Sequence, residues 1–164
     1  LKKAGDEARQ FNYKSALNII RALRTRLAGA IPIDALSVCE EKFKKHQELC
    51  DRVLGAIKEN LKKGPIILNF EINLPLGKKW KIASIESAPP SYLLKLDAIT
   101  LGAIAGLGIS RRLDQLSIRE QYDLFLQFLP IKLTAEDHKT LGTFCREREL
   151  IEEAREHESK LLGH

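Results

Sequence analysis

Hydrophobic residues recur every three or four positions through the first third of the chain, which is the spacing of amphipathic helices. The pattern predicts one helix over residues 3–28 and a second from about residue 34 to residue 63, with a break at residues 29–32. Because the break is short, the two helices are expected to form an antiparallel αα-hairpin. Gly64 and Pro65 carry the usual signal for the end of the second helix.

A different periodicity follows the second helix. In residues 65–74 apolar and polar side chains alternate, which is typical of a strand with one buried face. Residues 79–86 alternate less regularly, because Trp80 and Ile82 share a face while Ile85 falls on the other. A β-bulge at Ala83 and Ser84, or the end of the pairing, would account for this irregularity. The two segments together predict one antiparallel β-hairpin.

The sequence pattern over residues 91–164 again predicts helices. Residues 92–107 are apolar nearly all round, so they are expected to form a buried central helix. Gly102 and Gly106 lie four positions apart in this segment and would let another helix approach closely. Capping signals predict a helix from Ser117 to about residue 129 and a last helix that begins near residue 135, and the charged end of the last helix is expected to project from the domain.

These patterns predict a mainly α fold, a helical bundle of about five helices with one antiparallel β-hairpin and hence α+β character. The 164 residues suit a single domain, with a basic αα-hairpin at 1–63, the β-hairpin at 64–87 and a second helical part at 91–164. Because the sequence contains no methionine, we expect it to be a fragment of a longer protein. The expected core comprises Phe11, Leu23, Phe43, Val53, Phe70, Ile72, Ile99, Ile104, Phe125 and Phe144.

The charge distribution gives one candidate binding surface. Residues 1–81 carry 17 Lys and Arg against 9 Asp and Glu, whereas residues 82–164 carry 10 against 13. A basic half can attract nucleic acid or another polyanion, although a solvated helix surface gives the same count. The candidate polyanion-binding residues are Arg21, Arg24, Lys78, Lys79 and Lys81.

The cysteines do not form a disulfide or metal pattern. Cys39, Cys50 and Cys145 are odd in number and widely spaced, which favours a reducing compartment, the cytoplasm or the nucleus. Cys39, His46 and Cys50 would share one helix face, but about 16 Å of helix separates the two thiols, so they cannot close one tetrahedral zinc site. We therefore predict no metal site and no cofactor.

The sequence contains no phosphate-binding loop, dinucleotide fingerprint or zincin motif, and no segment long and apolar enough to span a membrane. Paired carboxylates such as Glu152 and Glu153 lie in a charged run that is expected to be solvated. The leading hypothesis is therefore a non-enzymatic protein-interaction or assembly module within a larger protein. Another protein is the expected partner, with contacts predicted at Trp80, Leu150 and Ile151. The alternative is binding of nucleic acid or another polyanion through the basic half.

Overall fold

The computed structural model describes residues 1–27, 33–74, 77–88, 91–99 and 108–162. The described helices are α1 (Lys2–Arg9), α2 (Tyr13–Arg26), α3 (Ile33–Leu61), α4 (Ile118–Phe128), α5 (Ala135–Glu147) and α6 (Ile151–Leu162). The strands are β1 (Ile66–Ile67), β2 (Trp80–Ala88), β3 (Ser91–Ala98) and β4 (Gly108–Arg112), which pair in this order as one antiparallel sheet. The predicted mainly α class with α+β character is confirmed, and no described helix is long and apolar enough to cross a membrane.

The first predicted helix is two helices. The break falls at Phe11, whose backbone adopts a left-handed φ of 61°. This conformation is costly for a bulky residue, and burial of the Phe11 ring against Phe125 and Phe144 offsets the cost. Asn12 then caps α2 by accepting a hydrogen bond from the Ser15 amide. The apolar spacing continues through the break, so periodicity alone did not reveal it.

The predicted αα-hairpin is present as α2 and α3. Their antiparallel course follows from the contacts, since Tyr13 at the start of α2 meets His46 while Arg24 near its end meets Ser37. The apolar stripe of α3 lies in the core, where Leu36, Phe43, Leu49, Val53 and Ile57 are all buried. The second helix was therefore predicted correctly.

The predicted hairpin is the first part of a larger sheet. Only Ile66 and Ile67 pair with β2 as a strand, although the amides of Leu68 and Ile72 also donate to the backbone facing them, at 3.0 and 2.9 Å. The ladder register shifts between Ile82 and Ser84, as the irregular alternation indicated. This bulge brings Ile82 and Ile85 to the same face, where they lie opposite the buried Leu96 and Leu94.

The prediction of a central helix at residues 92–107 is wrong. Residues 91–98 form β3, which pairs with β2 on one side and β4 on the other. From Leu94 to Ala98 apolar residues alternate with the charged Lys95 and Asp97, which is the period of a strand, and β3 pairs on both sides. Gly102, Gly106 and Ile104 lie outside the described residues.

The last predicted helix is also two helices, and its end does not project. Glu149 adopts a left-handed φ of 64°, and the chain turns back so that α6 packs against α5. Gly142 lies at the closest part of this contact, since a Cβ atom there would stand 3.6 Å from the His157 Cβ. The acidic end of the chain is therefore part of the folded domain.

The expected core is largely where it was predicted. Phe11, Phe43, Val53, Ile72, Phe125 and Phe144 are buried, and Leu23 and Phe70 pack against the core while remaining partly exposed. Ile99 is 40% exposed, because it follows the end of β3 and does not lie within a buried helix. Phe125 and Phe144 stack with ring centroids 5.1 Å apart and join α4 to α5.

Candidate functional site

A groove of about 530 Å³ runs between α3 and α5, and we call it the α3–α5 groove. Its volume lies within the range of natural ligand-binding clefts. Residues spaced by one and two helical turns line both walls, because only such residues share a helix face. Its lining includes Val38, Lys42, Lys45 and His46 from α3 and Lys139, Thr140 and Thr143 from α5.

The groove offers apolar contact area. Val38 is 68% exposed, although an isopropyl side chain gains free energy by leaving water. The alkyl stems of the neighbouring lysines extend this apolar surface and leave their ammonium groups at its rim. The groove therefore presents an apolar surface against which an apolar side chain can pack.

His46 lies at the base of the groove and is the most unusual polar group there. Its side chain is 1% exposed, and neither ring nitrogen has a hydrogen-bond partner. The Thr140 backbone favours the protonated ring without making a well-formed hydrogen bond. Burial lowers the pKa of His46 to about 4 despite the nearby Glu147 carboxylate, so the imidazole is neutral at pH 7.

The rim of the groove carries both signs of charge. Lys42 pairs with Glu147 across the two helices, and Lys45 lies 3.5 Å from the Glu136 carboxylate. Lys139 has no carboxylate within 4.0 Å among the described residues. The α5 side therefore presents a cation that is available to an acidic ligand.

The predicted polyanion-binding arginines contribute to the packing of α2 on α3. Arg21 and Arg24 lie 3.3 and 3.1 Å from the buried carboxylate of Glu40. Burial opposes ionisation of Glu40, but the hydrogen bond from Arg21 and the neighbouring cations outweigh it and lower the pKa of the carboxyl. Much of the charge of the two arginines is thus compensated within the protein.

The predicted hairpin-tip lysines are only partly available. Lys78 lies 3.8 Å from Glu71, and Lys81 lies 3.9 Å from Asp97. Lys79 is exposed. Polyanion binding by these three lysines and the two arginines together stays a prediction.

The residues predicted to contact a partner have different surroundings. Trp80 is fully buried, and its indole N–H donates to the Ile72 and Gly77 carbonyls at 3.0 and 3.1 Å. It is a core residue, so in this structure it offers no exposed surface to a partner. Leu150 packs partly against the core, while Ile151 is 43% exposed and stays accessible.

The cysteines are all free thiols in the structure. Burial raises the pKa of Cys50 and of Cys145 to about 12, so both stay protonated and weakly nucleophilic at neutral pH. Cys39 is half-buried. No group of three or more potential metal ligands occurs among the residues that the structure describes.

A histidine pair between α5 and α6 was missed by sequence reasoning. His138 Nδ1 lies 2.8 Å from His157 Nδ1, and His157 Nε2 lies 3.0 Å from the Tyr122 hydroxyl. The two histidines are 19 positions apart, and only the turn at Glu149 brings them together. No local pattern in the sequence signals this pair.

Comparisons of the chain with protein-family models, with curated proteins and with solved structures find no match.

Proposed function

We propose that this chain is a non-enzymatic protein-interaction module whose α3–α5 groove binds an amphipathic helix of a partner protein. The observation that carries the proposal is the exposed Val38 in an apolar groove between two helices. Grooves of this kind take the apolar face of a third helix, whose side chains at positions i, i+3 or i+4 and i+7 act as anchors.

The charged residues that line the groove indicate the charge that the partner helix should carry beside its apolar stripe. Three lysines line the groove, Lys42, Lys45 and Lys139, against the two carboxylates of Glu41 and Glu136. Lys139 in particular lacks an ion-pair partner in the described part. A helix with acidic residues beside its apolar stripe would gain from these lysines, whereas a basic helix would be repelled by them.

The chemistry of the buried groups favours a binding role over catalysis. A general base works best when its pKa is near the working pH, and the pKa of His46 is about 4. A cysteine nucleophile acts as the thiolate, whereas burial keeps the Cys50 and Cys145 thiols protonated. These shifts support the absence of an enzymatic role for the groups concerned.

Two synthetic peptides of 18 residues test the proposal. Both carry leucines at helical spacing, but one has glutamates and the other lysines at the remaining positions. We expect the acidic peptide to bind the chain by fluorescence anisotropy with a micromolar Kd, and the basic peptide to bind at least tenfold more weakly.

Matched variants locate the binding surface. Val38→Glu and Lys139→Glu should each weaken binding of the acidic peptide at least tenfold, because both lie in the groove. Ile131→Glu is the control, since Ile131 is a fully exposed apolar residue that does not line the groove. Equal binding of both peptides, or equal loss in the control, would contradict the proposal.

A further inference from the structure

We infer that His138 and His157 form a binding site for one divalent transition-metal ion, of the class of Cu²⁺, Ni²⁺ and Zn²⁺, between α5 and α6. The inference is independent of the α3–α5 groove. It rests on the direct approach of two imidazole nitrogens from two helices, with Nδ1 atoms 2.8 Å apart.

The separation of the nitrogens matches that of adjacent metal ligands. Two nitrogens that lie about 2.0 Å from one ion and subtend a right angle are about 2.8 Å apart, and a tetrahedral angle places them about 3.3 Å apart. The observed 2.8 Å therefore fits the square-planar arrangement that Cu²⁺ and Ni²⁺ favour, and a small opening of the pair would admit Zn²⁺.

The surroundings of His157 hold it in the orientation that a ligand needs. A metal-bound imidazole usually has its other ring nitrogen hydrogen-bonded, which fixes the ring. The Tyr122 hydroxyl takes this role from α4, at 3.0 Å from His157 Nε2. A phenol oxygen can accept the hydrogen bond that Nε2–H of the metal-bound form donates.

Binding requires a change of tautomer and a rotation of both rings, because the facing nitrogens point at each other in the hydrogen-bonded pair. In the metal-free pair, one Nδ1–H donates to the other Nδ1, because two lone pairs would repel each other at this distance. When His138 is the donor, its proton moves through solvent from Nδ1 to Nε2, and both Nδ1 lone pairs are then free to turn towards the ion. No proton is released overall.

A groove of about 650 Å³ beside the pair gives the ion access to solvent. Its lining includes Arg119 and Tyr122 from α4, His138 from α5 and Glu153 and Glu156 from α6. Arg119 forms an ion pair with Glu153, so Glu156 is the more available of these two α6 carboxylates. Since no third side-chain ligand completes the cluster among the described residues, water would fill the remaining positions.

The test is calorimetric titration of the untagged chain with NiCl₂ and ZnCl₂ at pH 7.5. We expect one equivalent to bind with a Kd of about 1–100 μM, and His138→Gln to weaken binding at least tenfold. With Cu²⁺, the electron paramagnetic resonance spectrum should show coupling to two nitrogens in the unchanged chain and fewer in the variant.

Two matched variants exclude other ligands. His164→Gln removes a different histidine, and Cys39→Ser removes the least buried thiol, and neither should change the Kd by more than twofold. His138→Gln is preferred to substitution of His157 because His138 is half-buried and its loss should leave the fold intact. Binding that is absent at millimolar metal, or that survives in His138→Gln, would overturn the inference.

Discussion

Acidification should destabilise the protein through His46, even between pH 7 and pH 5. The pKa of His46 is about 4 in the folded protein and about 6.5 in an unfolded chain. The unfolded state therefore binds a proton more readily, so the stabilising effect of the neutral ring is present above pH 6.5 and is lost as the pH falls toward 4. Linkage gives a loss of about 2 kcal/mol in the free energy of unfolding at pH 5.

Urea unfolding of the unchanged chain and of His46→Phe, at several pH values from 7 to 5, isolates this contribution. Phenylalanine keeps an aromatic ring beside Tyr13 and Phe144 but cannot titrate. At pH 7 the variant should be at least as stable, because it removes two buried nitrogens that lack partners. At pH 5 it should be more stable than the unchanged chain by about 2 kcal/mol beyond the difference at pH 7.

Comparing the two proteins cancels the contributions that the other titrating groups make to the pH dependence of stability. His157 has a lowered pKa, through burial and the charge of His138, but it is present in both chains. Glu40 and Asp137 have lowered pKa values, so their stabilising contributions are lost only in stronger acid. A stability difference that stays constant within 0.5 kcal/mol from pH 7 to pH 5 would refute the reasoning about His46.

Three further predictions concern the core, a helix start and the basic tip. Phe144→Ala should cost about 3–5 kcal/mol in urea unfolding, because a fully buried ring that stacks in the core leaves a cavity. Asp137→Ala should cost about 1–3 kcal/mol by thermal unfolding, since it removes the capping box of α5 and an ion pair with an α3 arginine; a loss below 0.5 kcal/mol would contradict this role. Exchange of Lys78, Lys79 and Lys81 for Glu should leave the far-ultraviolet circular dichroism spectrum unchanged and should abolish any retention of the protein on a heparin column. Retention that persists would exclude the hairpin tip as the polyanion-binding surface.

The sequence predicted those features of a helix or strand that depend only on residues within the same element. The stripe of α3 follows from apolar spacing alone, and the starts at Ser117 and Thr134 follow from side chains that cap the amides three residues on. The bulge after Ile82 was visible as a break in the alternation. These features depend on neighbours within a few residues, so they survive without knowledge of the fold.

Tertiary structure decided the features that depend on distant partners. β3 pairs with β2 on one side and β4 on the other, and this pairing outweighs the apolar character of residues 92–107 even though Leu94 to Asp97 already alternate with the period of a strand. Phe11 and Glu149 take left-handed backbone conformations that residue type alone disfavours. At Phe11, burial of the ring supplies the compensation.

The two candidate sites differ in how much of each could be predicted from the sequence. Helical spacing placed His46 on one face of α3 with Cys39 and Cys50, but only the packing of α5 against α3 buries the imidazole and forms a groove. The pairing of His138 with His157 was not predictable, since the chain reversal between α5 and α6 depends on contacts at Gly142 and Ala154 that the sequence pattern does not record. Helical periodicity therefore determined which side chains share a face, and the tertiary fold determined which faces meet, because that choice is made by the packing of elements far apart in the chain.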